Sequence, residues 1–166
     1  MHCRSQSRLY SVKVGTAYDD LAKRLVLKLK FDGARSAVED MAKVLAPKIS
    51  QADFYLVPVP TATRRARQRG YDQAKLLARE LSRQTGLPYL DCLRRHGQAH
   101  QVGSSRQQRL KQLQQSFRVT RLDLLKGSRI LLVDDVLTTG STLESAAAAC
   151  RVAGAARVSA ITFAQA

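Results

Sequence analysis

Tryptophan is absent from the 166 residues, and phenylalanine and tyrosine together make up only 5% of them. A surface that grips single-stranded nucleic acid by stacking its bases is therefore poorly supplied with rings. The three cysteines, Cys3, Cys92 and Cys150, are widely spaced and form no C-x-x-C pair. That argues against a disulfide framework and a zinc ribbon, and predicts no zinc. No apolar run reaches the roughly 18 residues that read as a membrane span, so no membrane insertion is expected. The opening residues, MHCRSQSRLYS, lack the apolar core of a signal peptide, which makes a cytoplasmic protein the expectation. No G-x-x-x-x-G-K-[ST] segment is present, which removes a Walker-type phosphate loop.

Acidic residues are also scarce: 13 Asp and Glu stand against 28 Lys and Arg, for a formal net charge of +15. The excess is concentrated. Residues 61–83 hold seven Lys and Arg against two acids, and residues 94–129 hold nine against one. Charge placed in this way implies phosphate-bearing partners, small or polymeric, although some of these side chains are simply solvated helix faces.

The most informative stretch is residues 129–142, RILLVDDVLTTGST. Ile130 to Val133 form a continuous apolar run, as in a strand covered on both faces. Two carboxylates follow, Asp134 and Asp135, then a small polar loop that ends in Thr138, Thr139, Gly140, Ser141 and Thr142. TLESAAAACRVA then reads as a helix, with Ser141 and Glu144 matching a capping box and Gly154 marking its end. A phosphate suits hydroxyls and free amides at a helix N-terminus. The aspartates upstream are acceptors for sugar hydroxyls. Ribose 5-phosphate satisfies both halves. Because successive strand side chains point to opposite faces, Asp134 and Asp135 are not expected to share a proton as a dyad.

Upstream, Tyr10, Val12 and Val14 alternate as in a short strand, and Tyr18, Leu21, Leu25 and Leu29 mark a helix that ends near residues 31–33. A second helix over residues 34–46 stops before Pro47. DFYLVP at residues 53–58 reads as a strand. Asp72 opens a helix whose Ala74, Leu77, Ala78 and Leu81 form one apolar stripe, and residues 89–93 read as a short strand. Strand, loop, helix and strand make a βαβ unit, which recurs at residues 129–163 with VSAITF as the last strand. Between the first strand and its helix lie Thr61, Arg64, Arg65, Arg67, Arg69 and Gly70. Ligands bind at this edge of open α/β sheets, and a diphosphate there meets guanidinium groups and a second helix N-terminus. A basic run of this kind also suits nucleic acid.

The 129–142 stretch resembles the PRPP-binding motif of the type I phosphoribosyltransferases. Pro58–Pro60 and Arg64–Gln73, in the pattern P-V-P then R-R-x-R-x-R-G-[FY]-[DN]-Q, are similar to the competence protein F (ComF) family. So are residues 30–33, Lys-Phe-Asp-Gly, and Gln101-Val102-Gly103 with Ser105, Arg106 and Arg109. The chain departs from that pattern at Ser104, where a leucine is common, and it has no cysteine pairs like those in the N-terminal segment of many relatives.

The resemblance implies a single α/β domain over residues 1–166, with a mainly parallel sheet flanked by helices. Residues 1–50 are expected as a small hood, and residues 51–166 as a core carrying the motif at 130–142. It implies PRPP held with Mg²⁺, and transfer of the phosphoribosyl group with release of pyrophosphate. Asp134 and Asp135 serve the ribose hydroxyls and the metal, and residues 138–142 the 5-phosphate. Thr61, Arg64, Arg65, Arg69 and Gly70 serve the pyrophosphate. Gln101, Arg106, Arg109 and Lys111 belong to a flexible loop over the ligand. It also implies a role in DNA uptake, with competence-machinery proteins as partners; the charge distribution is compatible with single-stranded DNA, and a second copy of the chain is a further expected partner. The other reading it leaves open is a non-catalytic competence factor that uses the PRPP site as a sensor.

Overall fold

The computed structural model describes residues 7–31, 35–50, 53–61, 70–95 and 116–166. Four parallel strands form the main sheet: β1 (Val12–Ala17), β2 (Phe54–Pro58), β5 (Arg129–Leu137) and β6 (Arg157–Gln165), in the order β1-β6-β5-β2. Helices cover both faces, as the continuous apolar runs require. The fold is therefore α/β with a parallel sheet flanked by helices.

Alternation along the strands sorts the core into two layers. Leu56, Leu131, Val133, Ile161 and Phe163 face α1 (Asp20–Phe31), α2 (Arg35–Leu45) and α3 (Gln73–Thr85). Val57, Ile130, Leu132, Val158 and Ala160 face α5 (Ser141–Val152), which contributes Leu143, Ala146, Ala147 and Cys150. The short α4 (Leu122–Leu125) adds Leu125 to this second layer. Of the fifty N-terminal residues expected as a hood, β1 joins the main sheet beside β6, and α1 and α2 pack on the same face as α3.

Several details differ from the sequence reading. In α1 the buried stripe is Ala22, Val26 and Leu29, while Leu21 is 66% exposed. The set 22, 26 and 29 has the same helical period as the one marked by Leu21, and the small Ala22 seats it against the core. The strand expected at residues 89–93 contributes one parallel bridge, Tyr89 opposite Leu56, held by Leu90 N donating to Leu56 O at 2.9 Å. Leu93–Arg95 (β3) instead pairs antiparallel with Phe117–Val119 (β4), a separate two-stranded ribbon. Two three-residue strands are too short for a periodicity signal.

The sheet order positions a crevice. The helix after β2 lies on one face and the helix after β5 on the other, although the two strands are neighbours. Connections leaving in opposite directions open a cleft between the carboxyl ends of β2 and β5.

Candidate functional site

β2 last pairs at Pro58 with Val133, and Val59 N donates to Val133 O at 2.9 Å. Beyond that point β5 continues without β2 beside it. The strand does not end at the acidic pair: it runs to Leu137 and stays paired with β6 through Asp134 opposite Thr162 and Val136 opposite Ala164. The acids therefore lie on extended backbone at the open end of the sheet.

Their side chains bend along the strand. Asp134 Oδ1 accepts from Asp135 N at 2.9 Å, and Asp135 Oδ1 accepts from Val136 N at 2.9 Å. This folding over the next amide brings the carboxyls within reach of each other, against the expectation that pleating separates them. Burial pushes the Asp134 carboxyl well above the usual carboxylate range. The Asp135 charge adds to the rise, a side-chain hydrogen bond between the two adds to it further, and the amide of Asp135 opposes it. Asp72, at the start of α3, raises it a little more.

Gly140 follows with φ 77°, a left-handed conformation that glycine takes without strain, and it turns the chain into α5. The capping box expected of Ser141 and Glu144 is not formed. Gly140 is the N-cap, with no side-chain cap, and the Ser141 hydroxyl lies 3.0 Å from Thr139 Oγ1. Glu144 is engaged elsewhere: Oε1 accepts from Ser7 Oγ at 2.5 Å and Oε2 from Arg8 N at 2.9 Å. Apart from Ser141 N, which donates to Thr139 Oγ1 at 3.4 Å, the first-turn amides of α5 have no capping side chain, in a loop with exposed Thr138, Thr139 and Ser141 and half-buried Thr142.

Across the crevice, the connection after β2 is tied at its base. Thr61 N donates to Asp72 Oδ2 at 2.9 Å, and Thr61 Oγ1 donates to Gln73 Oε1 at 3.1 Å. Asp72 also caps α3 through Lys75 N at 3.3 Å. Gly70, with φ 75°, supplies the turn before it. Tyr71 Oη donates to Leu29 O at 2.5 Å, which anchors the exit of this connection to α1.

Thr61, two residues beyond the Val59–Val133 bond, therefore lies at the same edge of the sheet as the acidic pair, and Gly70 precedes the helix start to which Thr61 is tied. Arg64, Arg65, Arg67 and Arg69, and Gln101, Arg106, Arg109 and Lys111, lie outside the described residues, as do Cys3, His96 and His100. Part of the basic excess is neutralised locally. Asp91 pairs with Lys75 and with Arg94, each at 2.7 Å, Glu80 with Arg83 at 2.7 Å, and Asp53 with Arg129 at 2.6 Å. Gln73, buried beside Thr61, carries no periodicity signal; its place directly after the N-cap Asp72 was the available clue.

The donor set fits Mg²⁺ of one kind only. Among the described residues, no group of three or more His, Cys, Asp or Glu is placed to hold a metal ion, so no all-protein cage exists there. Asp134 and Asp135 are hard oxygen donors whose charges oppose each other, which is the setting of a cation shared between one or two carboxylates and ligand phosphates.

A parallel sheet with a polar loop entering a helix beside two carboxylates defines a phosphoribosyltransferase-type domain. The chain belongs to the phosphoribosyl transferase domain family, whose model matches residues 67–166. Within it, the chain is similar to Competence protein ComFC of Bacillus subtilis, 31% identical over 134 residues that cover 78% of this chain and 53% of that one. It is 36% identical over 110 residues to Competence protein F of Haemophilus influenzae, covering 64% of this chain and 47% of that one. The chain thus spans about half the length of these curated relatives. In fold it is similar to the glutamine phosphoribosylpyrophosphate (PRPP) amidotransferase of B. subtilis, with a TM-score of 0.56, 23% identity, and coverage of 76% of this chain and 26% of that one. Among the described residues, no helix is long and apolar enough to cross a membrane.

Proposed function

We propose that this chain binds PRPP with Mg²⁺ in the crevice between β2 and β5 and transfers its phosphoribosyl group to a nucleophile, releasing pyrophosphate. The observation that carries this reading is the junction of β5 with α5, where an acidic pair on the strand end precedes an uncapped helix N-terminus. The 5-phosphate sits on residues 138–142, where first-turn amides and hydroxyls meet the positive end of α5. Asp134 and Asp135 accept hydrogen bonds from the ribose hydroxyls. Thr61, Gly70 and the arginines Arg64, Arg65 and Arg69 hold the diphosphate, with Gln101, Arg106, Arg109 and Lys111 as further ligand contacts.

The bond from the anomeric carbon to the diphosphate oxygen breaks with its electron pair leaving on that oxygen. The acceptor's lone pair forms the new bond, and its proton passes to released pyrophosphate or water. Mg²⁺, when bound, neutralises charge on the leaving group. The chain's own residues fix the ribose, hold the 5-phosphate and supply cationic charge where the pyrophosphate departs.

The competence relatives and the basic balance support a role in DNA uptake, with single-stranded DNA and competence-machinery proteins as partners. No feature of the described residues favours the alternative in which the PRPP site is only a sensor. The test is incubation with PRPP and Mg²⁺ against a panel of nucleophiles, reading pyrophosphate. Release that depends on an acceptor supports transfer, while PRPP left intact with every acceptor contradicts it.

A further inference from the structure

Gln73 is only 2% exposed, yet it occupies the first position of the 13-residue helix α3. One end of its carboxamide is used, with Oε1 accepting from Thr61 Oγ1 at 3.1 Å. The other end is not: Nε2 is buried and has no hydrogen-bond partner among the described residues. A buried amide donor left unpaired costs free energy, and a leucine would fill the same volume without that cost. The bond to Thr61 accounts for Oε1, and nothing among the described residues accounts for Nε2.

Its neighbours place Gln73 at the crevice. Thr61 is fixed from two sides, by Asp72 through its amide and by Gln73 through its hydroxyl. Val59 N bonds Val133 O where the β2–β5 pairing ends, and Thr61, two residues on, bonds Asp72, so this end of α3 borders the crevice beside the acidic pair. Carboxylates there accept from hydroxyls. An uncharged N–H₂ group at a helix N-terminus is instead suited to an anionic oxygen, and it adds no further cation next to the arginines of the preceding loop.

We propose that Gln73 is a ligand-binding residue whose Nε2 donates to a diphosphate oxygen, while its Oε1 holds Thr61 in place for the same group. This rests on the PRPP reading above and deepens it, by assigning recognition of the diphosphate end to an uncharged donor as well as to arginines.

The test is calorimetric titration of the whole chain with two probes in the presence of Mg²⁺, inorganic pyrophosphate and ribose 5-phosphate. Gln73→Leu removes the donor at nearly constant volume. It is expected to weaken pyrophosphate binding at least about tenfold, to leave ribose 5-phosphate binding unchanged, and to keep or raise Tm. Gln73→Glu retains an acceptor for Thr61 but turns an oxygen toward the ligand, and is expected to lose measurable pyrophosphate binding. Wild-type pyrophosphate affinity in both variants overturns the contact and leaves the PRPP reading standing. Equal loss of both probes together with a lowered Tm makes Gln73 structural and also overturns it. A wild-type chain that binds neither probe removes the PRPP reading and this contact together.

Discussion

At the scale of single residues, the site holds groups in settings that oppose their own charge or polarity. Asp134 is the clearest. Its carboxyl is raised by burial first and by Asp135 second. A group whose folded value lies above its unfolded one favours the native state below its ordinary range and loses that contribution as pH rises through the folded value. Asp134 therefore reduces stability at neutral pH. Asp134→Asn keeps an oxygen for the Asp135 amide and removes the opposed charge, so its Tm should exceed that of wild type at pH 7. The difference should vanish below the ordinary carboxylate range, where wild type is protonated. The same variant should weaken PRPP binding roughly ten- to a hundredfold, because a charged acceptor is lost. Melting curves across pH, alongside calorimetry, check both halves. A lowered Tm at pH 7 would show the carboxylate to be structural. The identity of these acids was legible in the sequence, because strand, acids and small-residue loop are contiguous. Their mutual approach was not, since it depends on each carboxylate folding over the next amide, a local choice that pleat alternation does not encode.

At the scale of elements, β1 and α2 meet at Gly15. A Cβ built there would press on the carbonyl oxygen of Phe163 and lie 2.9 Å from Leu45 Cδ2. The first of these is backbone in the paired strand β6 and has no room to yield. Gly15→Ala should cost about 1–3 kcal/mol through overpacking, and lower Tm by roughly 2–4 °C for each kcal/mol. Denaturant or thermal melts read this directly; a neutral substitution would mean that β1 shifts freely against the sheet. The element types were largely readable, because α3 has a clear apolar stripe and β5 a continuous run. Two things escaped. The α1 stripe shares Leu29 with the leucines that marked it but runs through Ala22 and Val26 instead of Leu21 and Leu25, and the β3–β4 ribbon pairs segments separated by the 96–115 stretch, which no local pattern connects. Glu144 was another such case: a capping-box residue by spacing, it is drawn off by Ser7 and Arg8 far away in sequence.

At the scale of the whole molecule, one hydrophobic layer on each face of a parallel sheet leaves the carboxyl edge to hold the chemistry. Cys92 and Cys150 lie inside the layer under α5, fully buried. Burial pushes their thiols up to about 11 and about 12. At pH 8 the thiolate fraction of Cys92 is about one in a thousand, and that of Cys150 smaller still. In a Cys3→Ser background, both should resist iodoacetamide in buffer and react fully in denaturant, as read by mass spectrometry. Rapid labelling of the native chain would contradict the packing of that layer. The central claim is that the crevice between β2 and β5 is a Mg²⁺-dependent PRPP site. It is tested most directly by calorimetric titration of the chain with PRPP, with and without Mg²⁺, in wild type and in a variant carrying both Asp134→Asn and Asp135→Asn. The account predicts saturable one-site binding that requires Mg²⁺ and is lost in the double variant while its fold melts cooperatively. No binding by wild type, or binding indifferent to both Mg²⁺ and the two substitutions, would contradict it.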